Sequence, residues 1–179
     1  MNDKKAQTRE RILQAASSAL IQQGPVEPSV SDVMGAAGLT VGGFYAHFES
    51  KDALMLEAFS QLLAQRRASI DDMDAQLTGE ERRALVAAFY LSRKHRDSTA
   101  QACPIPATVG EMARLPDAFR QVLNEHVELM AAQLAASPED TDKALSDMAL
   151  MVGGLALARA LGPGELSDRV LRAAKSAIR

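Results

Sequence analysis

The stretch that decides the fold is SVSDVMGAAGLTVGGFYAHF, residues 29–48. Its first half predicts a short helix that Ser29 caps, with Asp32 as the partner of Ser29 in a capping box. Gly38 follows at the point where a helix ends most easily, because glycine adopts the left-handed conformation without a steric clash.

The second half of the stretch predicts another short helix, capped by Thr40. One of its faces is apolar and aromatic, since such residues recur with helical spacing: Val41, Phe44, Tyr45 and Phe48. The opposite face carries small or polar residues: Gly42, Gly43, Ala46 and His47. Two short helices joined by a tight turn form a helix-turn-helix, and the small residues let its backbone approach another molecule closely.

Residues 36–54, AAGLTVGGFYAHFESKDAL, resemble the signature of TetR-family transcriptional regulators. The likeness is dense from Arg9 to Phe59, whereas the rest of the chain matches only in helix count and spacing. The resemblance implies a helix-turn-helix DNA-binding domain at residues 1–50 and a helical ligand-binding and dimerisation domain at 51–179. It also implies a homodimer in which the last two helices form a four-helix bundle across a two-fold axis.

The resemblance further implies a set of contacts with double-stranded operator DNA. The residues expected at phosphates are Ser29, Thr40, Tyr45, His47 and Lys51, and those expected at base edges are Val41 and Gly43, with the backbone close at Gly42. Hydroxyl groups at helix N-termini suit phosphate because free N–H groups converge there. The family commonly has a polar or basic residue where Val41 stands and threonine where Gly43 stands. Readout is therefore expected to use thymine methyl groups and DNA shape.

Composition favours an all-helical protein, since alanine, leucine and methionine are frequent and no stretch alternates convincingly with period two. The spacing of apolar residues predicts nine helices. The net charge of −3 argues against a non-specific polycation. Charges from residue 1 to 51 balance, so attraction to DNA must come from a few placed cations and helix N-termini. Arg9 and Arg11 are either phosphate contacts or solvated surface residues.

The single cysteine rules out an intrachain disulfide, and the first residues lack the apolar core of a signal peptide. The longest uncharged apolar run, 148–158, is shorter than the roughly 20 residues that a membrane span needs. We therefore expect a reduced, cytoplasmic protein without a membrane partner. The sequence has no metal-ligand spacing and no glycine-rich phosphate loop. We therefore expect neither a metal nor a cofactor.

Three further features of the chain carry predictions. A capping box at Thr78 and Glu81 opens a helix with an inward face of Leu85, Val86, Phe89 and Tyr90. Residues 93–99, RKHRDST, are predicted to form a solvated polar linker. The helix that ends near Leu161 is apolar nearly all round, which indicates burial on two sides, one of them another subunit.

The family resemblance implies a small-molecule effector site among the middle helices. Its candidate lining is Leu62, Phe89, Tyr90, Ile105, Met112, Phe119, His126, Met130 and Met151. Each of these residues equally suits an ordinary core. Cys103 stands at a predicted helix start, where the positive helix end favours a thiolate, so it is either an oxidant or electrophile sensor or a buried apolar residue.

These observations favour a sequence-specific DNA-binding regulator, a repressor released from its operator by a small molecule or by modification of Cys103. The alternatives are a helical small-molecule-binding protein, a cysteine-dependent enzyme without DNA binding, and a helix-turn-helix kept only as a scaffold. An enzyme is disfavoured because the three histidines form no local signature with the cysteine.

Overall fold

The computed structural model describes residues 2–73, 76–98 and 102–178, and every regular element within these ranges is a helix. The α-helices are α1 (Asn2–Gln23), α2 (Val30–Ala36), α3 (Lys51–Asp71), α4 (Gly79–Tyr90), α5 (Arg93–Asp97), α6 (Ile105–Thr108), α7 (Asp117–Leu134), α8 (Thr141–Leu161) and α9 (Glu165–Ala177). Three 3₁₀-helices accompany them in these ranges: Val41–Ala46, Val109–Arg114 after α6, and Pro138–Asp140 before α8. The all-helical prediction is confirmed.

The described ranges contain ten helical segments, one more than predicted, when each adjoining 3₁₀-helix is counted with its α-helix. The added segment is α5, so the prediction of a solvated linker is wrong; Thr99, at the end of that stretch, lies outside the described residues. His95 and Arg96 are buried. Arg96 donates to Ser167 and Asp168 on α9 at 2.8 Å each, so these partners compensate its burial, whereas Arg93 and Lys94 stay exposed.

The chain folds into two compact units. The first comprises Met1–Leu63 and Cys103–Val122, and the second comprises Ala64–Ala102 and Leu123–Arg179. Helices α3 and α7 each begin in the first unit and end in the second. The assignment of a DNA-binding domain to 1–50 and of a ligand-binding and dimerisation domain to 51–179 stays a prediction.

The core of the first unit is formed by the apolar faces of α1, α2 and the first half of α3, together with two phenylalanines after the turn. Its large, most deeply buried side chains are Ile12, Leu20, Met34, Phe44, Leu54, Met55, Phe59, Leu63 and Phe119. A clamp beside this core joins α1 to α3: Arg9 donates to both carboxylate oxygens of Glu57 at 2.6 Å. The Arg9 guanidinium also lies 4.6 Å from the centre of the Phe48 ring.

In the second unit, α4 turns a different face inward from the one predicted. Leu85 and Phe89 are exposed, and the buried residues are Arg83, Ala87 and Tyr90. Arg83 faces inward because its charge finds a partner there: Nη1 donates to Leu134 O at 2.9 Å, and Nε, without a hydrogen bond in the described residues, lies 3.6 Å from the carboxylate oxygen Asp147 Oδ2. The capping box of Thr78 and Glu81 is confirmed.

Helices α8 and α9 pack closely: a Cβ added at Gly154 would lie 2.8 Å from the Cβ of Ala174. Pro138–Leu161 is long and apolar enough to cross a membrane, judged by length and composition alone. Core helices of soluble proteins have the same character, and α8 carries the buried Asp147, which pairs with Arg83 and Lys143. Four leucines of α8 stay exposed in the single chain: Leu145, Leu150, Leu157 and Leu161.

Candidate nucleic-acid interface

The capping box at the start of α2 is present as predicted, and it occupies the hydroxyl of Ser29. The N–H of Ser29 donates to Asp32 Oδ2 at 2.9 Å, and the N–H of Asp32 donates to Ser29 Oγ at 3.1 Å. Ser29 Oγ also donates to Asp32 Oδ2, and these bonds hold the pKa of Asp32 below its usual range. Contact between Ser29 and a phosphate stays a prediction, and it requires the hydroxyl to leave the carboxylate.

The turn after α2 is fixed by Gly38 and Arg11. Gly38 has φ +67°, in the left-handed region that favours glycine, and the N–H of Leu39 donates to Met34 O at 2.9 Å. Arg11 Nη2 donates to Ala37 O at 2.5 Å, which satisfies a free carbonyl at the end of α2. Arg11 therefore holds the helix-turn-helix together from α1.

The second helix of the motif, Val41–Ala46, is a 3₁₀-helix. Adjacent glycines have low α-helical propensity, and short tight 3₁₀ turns are the usual alternative. The predicted single apolar face is wrong in part: Phe44 and Phe48 are buried with ring centres 5.9 Å apart, whereas Val41 and Tyr45 face outward. In this 3₁₀-helix Tyr45 points outward, although the edge of one ring still meets the face of the other between Phe44 and Tyr45, with centres 5.2 Å apart.

The outward surface of this helix carries few side-chain atoms. Tyr45 is 72% exposed and Val41 is 45% exposed, and the residues between and beside them are exposed too: Gly42, Gly43 and Ala46. A Cβ added at Gly42 would meet no atom within 4 Å. Thr40 stands at the N-cap position without a side-chain cap bond, which leaves its hydroxyl at an open helix start. The surface is therefore shaped for close backbone approach.

Most cationic side chains near this surface already bond to other residues of the protein. Arg9 pairs with Glu57, and Lys51 Nζ donates to Val26 O at 2.7 Å. Lys51 retains two further N–H donors for a phosphate. His47 is half-buried, and within the described residues its Nδ1 has no hydrogen-bond partner. The surface thus offers hydroxyl groups, Lys51 and helix ends more than a broad basic field.

Sequence reasoning missed Glu111, which lies in the 3₁₀-helix after α6. Its Oε2 accepts the N–H of Val26 at 3.2 Å, and a Cβ at Gly24 would lie 2.5 Å from the same oxygen. Gly24 has φ +80°, so glycine is required there for both reasons. Nothing in the local sequence signals a partner 85 positions away.

The effector candidates divide between the two units. Cys103, Leu62, Ile105, Met112 and Phe119 belong to the first unit, and Phe89, Tyr90, His126, Met130 and Met151 belong to the second. Cys103 is 1% exposed, and Phe119 packs with its ring centre 5.8 Å from that of Phe59. These two residues therefore occupy core positions.

The candidates of the second unit lie among arginines. His126 is 1% exposed, and its Nδ1 accepts from Arg67 Nη1 at 2.9 Å. Burial, then Arg67 and Arg66, lowers the pKa of His126 to about 4. Burial also lowers the pKa of His95 to about 4, with Arg66 and Arg159 adding to the effect. Both imidazoles are therefore neutral near pH 7.

An open groove of about 700 Å³ lies in the first unit along α1 and α2. Arg11, Gln14, Ser18, Gln22 and Asp32 are among the residues that line it, and no predicted effector residue does. No group of histidine, cysteine, aspartate and glutamate residues suited to hold a metal ion occurs within the described part of the chain.

These features define a helical protein with a helix-turn-helix in its N-terminal part. Residues 12–58 match the family described as bacterial regulatory proteins, tetR family. The N-terminal part of the chain therefore matches the TetR family of bacterial regulatory proteins.

Two curated relatives come from Bacillus subtilis (strain 168), and both are described as uncharacterized HTH-type transcriptional regulators. YerO is 24% identical over 161 residues, covering 87% of this chain and 54% of its own length. YvdT is 32% identical over 94 residues, covering 49% of this chain and 47% of its own length. The chain thus spans about half the length of the curated relatives it matches.

The reduced form of NemR from E. coli is a similar solved structure. It superimposes with a TM-score of 0.81 at 19% sequence identity, covering 97% of this chain and 95% of NemR. The agreement extends the likeness of fold from the N-terminal motif to nearly the whole chain.

Proposed function

We propose that this protein is a sequence-specific DNA-binding transcriptional regulator that acts as a repressor on a pseudo-palindromic operator. The observation that carries this proposal is the outward face of the Val41–Ala46 helix, bare of side chains except for Val41 and the prominent Tyr45. A helix of this kind enters the major groove in helix-turn-helix proteins. The family match at residues 12–58 supports the same role.

In the proposed complex, the hydroxyl groups of Thr40 and Tyr45 donate to phosphates, as do His47 and the two remaining N–H groups of Lys51. Ser29 joins them once its hydroxyl leaves Asp32. Val41 contacts thymine methyl groups, because it is the exposed apolar side chain at the start of the reading helix. Gly42 and Gly43 let the backbone approach the base edges, and with few hydrogen-bonding side chains the remaining specificity comes from DNA shape.

The proposed active form is a homodimer built through α8 and α9. Support comes from the exposed leucines of these helices in the single chain: Leu145, Leu150, Leu157, Leu161 and Leu166. Apolar surface of this extent on two neighbouring helices favours burial against a second copy. The two-fold axis then places the two reading helices roughly 34–36 Å apart, one turn of DNA.

The proposed signal is a small molecule whose binding favours a state in which the reading helices no longer match adjacent major grooves. Chain continuity supports this coupling. Helix α3 starts at Lys51, directly after the motif, and its last part, with Arg66 and Arg67, belongs to the second unit. Modification of Cys103 is the alternative trigger. Its thiol is 1% exposed, so a local opening of the structure has to precede its reaction.

The proposal is tested by gel shift with the DNA upstream of the protein's own gene, repeated over a salt series. Specific binding whose affinity falls steeply with salt is expected, because phosphate contacts release counterions. Lys51→Gln should reduce the slope of log affinity against log salt by about 1, because one phosphate is no longer neutralised, while the exposed Lys175→Gln should leave the slope unchanged. Absent or salt-insensitive binding would favour a helical small-molecule-binding protein or enzyme instead.

A further inference from the structure

The second unit holds a group of cationic and aromatic side chains drawn from five helices. We call it the arginine–histidine cluster: Arg66 and Arg67 on α3, Phe89 and Tyr90 on α4, His95 on α5, His126 on α7 and Arg159 on α8. The Arg66 guanidinium lies 5.5 Å from the centre of the Phe89 ring, and that ring stacks on His95 with centres 5.1 Å apart. Tyr90 meets His95 edge to face at 4.7 Å. Arg66, Phe89, His95 and Tyr90 are thus direct neighbours, and the hydrogen bond between Arg67 and His126 is a second contact within the cluster.

Arg67 is the member of the cluster for which the described residues offer no carboxylate partner. It is half-buried, and its hydrogen bond goes to His126 Nδ1, which must accept because a guanidinium only donates. His126 is therefore a neutral partner. Within the described residues no carboxylate pairs with Arg67; Asp71, one turn along α3, accepts instead from Gln133 at 2.5 Å.

The electrostatic field in the cluster is positive on both sides. Arg66 and Arg67 lower the pKa of His126, and Arg66 with Arg159 lowers the pKa of His95, while no carboxylate contributes to either histidine. Burying a cation without an anion is unfavourable, and proteins normally supply a counter-charge. For Arg67 the described residues supply no such counter-charge, and an anion from outside the chain fits this position.

Phe89 is the exposed aromatic side chain of the cluster. It is 43% exposed although its ring is held by Arg66 and His95, whereas Met130, one turn after His126 on α7, is buried. An occupant therefore needs an anionic end for Arg67 and an apolar body for the Phe89 side. A single negative charge suits this half-buried setting better than a dianion, which costs more to desolvate.

We propose that the arginine–histidine cluster binds a small carboxylate with an aromatic or aliphatic body. Arg67 donates to the carboxylate as a planar fork, and the body packs against Phe89. This inference rests on the proposed function, because it names the chemical class of the effector. Binding takes Arg67 away from His126 and supplies the missing negative charge, so it also raises the pKa of His126.

The test uses the whole protein with benzoate and octanoate as probes, and benzamide and octanamide as neutral counterparts of matched shape. Calorimetry measures affinity, and the imidazole C–H resonances of His126 and His95 report the site. We expect saturable binding of at least one carboxylate, no comparable binding of its amide, and a change in the titration of His126. Arg67→Gln should weaken carboxylate binding at least tenfold, whereas Arg172→Gln, an exposed change of equal charge on α9, should not.

Arg67→Lys keeps the positive charge but loses the two parallel donors of the guanidinium. It should therefore weaken carboxylate binding less than Arg67→Gln does, which distinguishes the loss of charge from a loss of folding. Absent saturable binding of both carboxylates, equal binding of acid and amide, or binding unaffected by Arg67→Gln would overturn the inference. DNA binding is measured on the same samples. DNA binding without carboxylate binding refutes this inference alone, and carboxylate binding without DNA binding refutes the proposed function alone.

Discussion

Glu111 Oε2 accepts a hydrogen bond from the N–H of Val26 at 3.2 Å, and so joins the 3₁₀-helix after α6 to the loop between α1 and α2. On its other side, Val26 O accepts from Lys51 Nζ. Both backbone groups of Val26 are thus held by side chains from elsewhere in the first unit. The loop that sets the start of α2 is therefore positioned by long-range contacts.

Removing the Glu111 carboxylate should loosen this loop. We expect Glu111→Ala to lower the free energy of unfolding by about 1–3 kcal/mol, since it leaves a partly buried N–H unsatisfied. It should also weaken operator binding, whereas the exposed Glu128→Ala should change neither quantity. Urea denaturation and fluorescence anisotropy with labelled DNA measure the two effects. Equal stability of the Glu111 and Glu128 variants would show that the bond to Val26 contributes nothing.

The glycines of the helix-turn-helix should respond in opposite directions. Gly38→Ala should destabilise the protein by about 1 kcal/mol or more, because φ is +67° and the new Cβ would lie 3.1 Å from Arg11 Nη2. Gly42→Ala adds a methyl group in open space and should stabilise the helix by up to about 1 kcal/mol. If the backbone approaches DNA at Gly42, the same variant should bind the operator more weakly.

Thermal denaturation checks the two stabilities, and anisotropy checks the affinity. Unchanged or tighter operator binding by a folded Gly42→Ala protein would contradict close backbone approach at this position.

The buried pair of Arg83 and Asp147 should be sensitive to the loss of one partner. Arg83→Met is expected to cost about 3–5 kcal/mol of unfolding free energy, because it leaves the Asp147 carboxylate buried beside Lys143 alone. The matched control is Arg120→Met, whose exposed pair with Asp117 should contribute less than about 1 kcal/mol. Chemical denaturation of both variants measures the free energy of unfolding. Similar small losses in the two variants would contradict a buried pair of Arg83 and Asp147.

Stability should fall in mild acid because two histidines are buried in their neutral form. Folding lowers the pKa of His95 and of His126 from 6.5 to about 4, so between these values the unfolded chain binds more protons. Stability is thus fully present above about pH 6.5, and it decreases as the pH falls towards 4, by up to about 1.4 kcal/mol per pH unit for each histidine.

His126→Gln should flatten this pH dependence, because one of the two groups no longer titrates. The measurement is urea denaturation at several pH values, with wild type and variant compared by slope, so that a constant loss of stability does not matter. Identical slopes in the two proteins would contradict the burial of a neutral His126.

Short sequence patterns predicted the local structure well, but they did not predict ion pairs between residues that are far apart in the sequence. The capping boxes at Ser29 and Thr78 depend on residues three positions apart, so sequence spacing was enough to find them. The inward orientation of Arg83 depends on its ion pair with Asp147. The packing of α5 depends on the hydrogen bond from Arg96 to Asp168, which is far away in the sequence. Apolar periodicity cannot see such pairs, and it misplaced Leu85 and Phe89 for that reason.

The sequence predicted which residues belong to the candidate interface, but not their conformation or their hydrogen-bond partners. Gly42 and Gly43 disfavour a regular α-helix, and the structure has a 3₁₀-helix with Tyr45 turned outward. The engagement of Ser29 with Asp32, and of Lys51 with Val26, reduces the donors available to phosphate. Motif resemblance identifies these positions without revealing their existing partners.

The central claim, that the exposed face of the Val41–Ala46 helix reads DNA, is tested most directly by fluorescence anisotropy. The duplex upstream of the protein's own gene is compared with a scrambled duplex of the same length and composition, using wild type, Tyr45→Ala and the exposed control Leu129→Ala. We predict that wild type and Leu129→Ala prefer the native duplex and that Tyr45→Ala binds it at least tenfold more weakly. Equal affinity for both duplexes, or a Tyr45→Ala protein that binds as wild type does, would contradict the account.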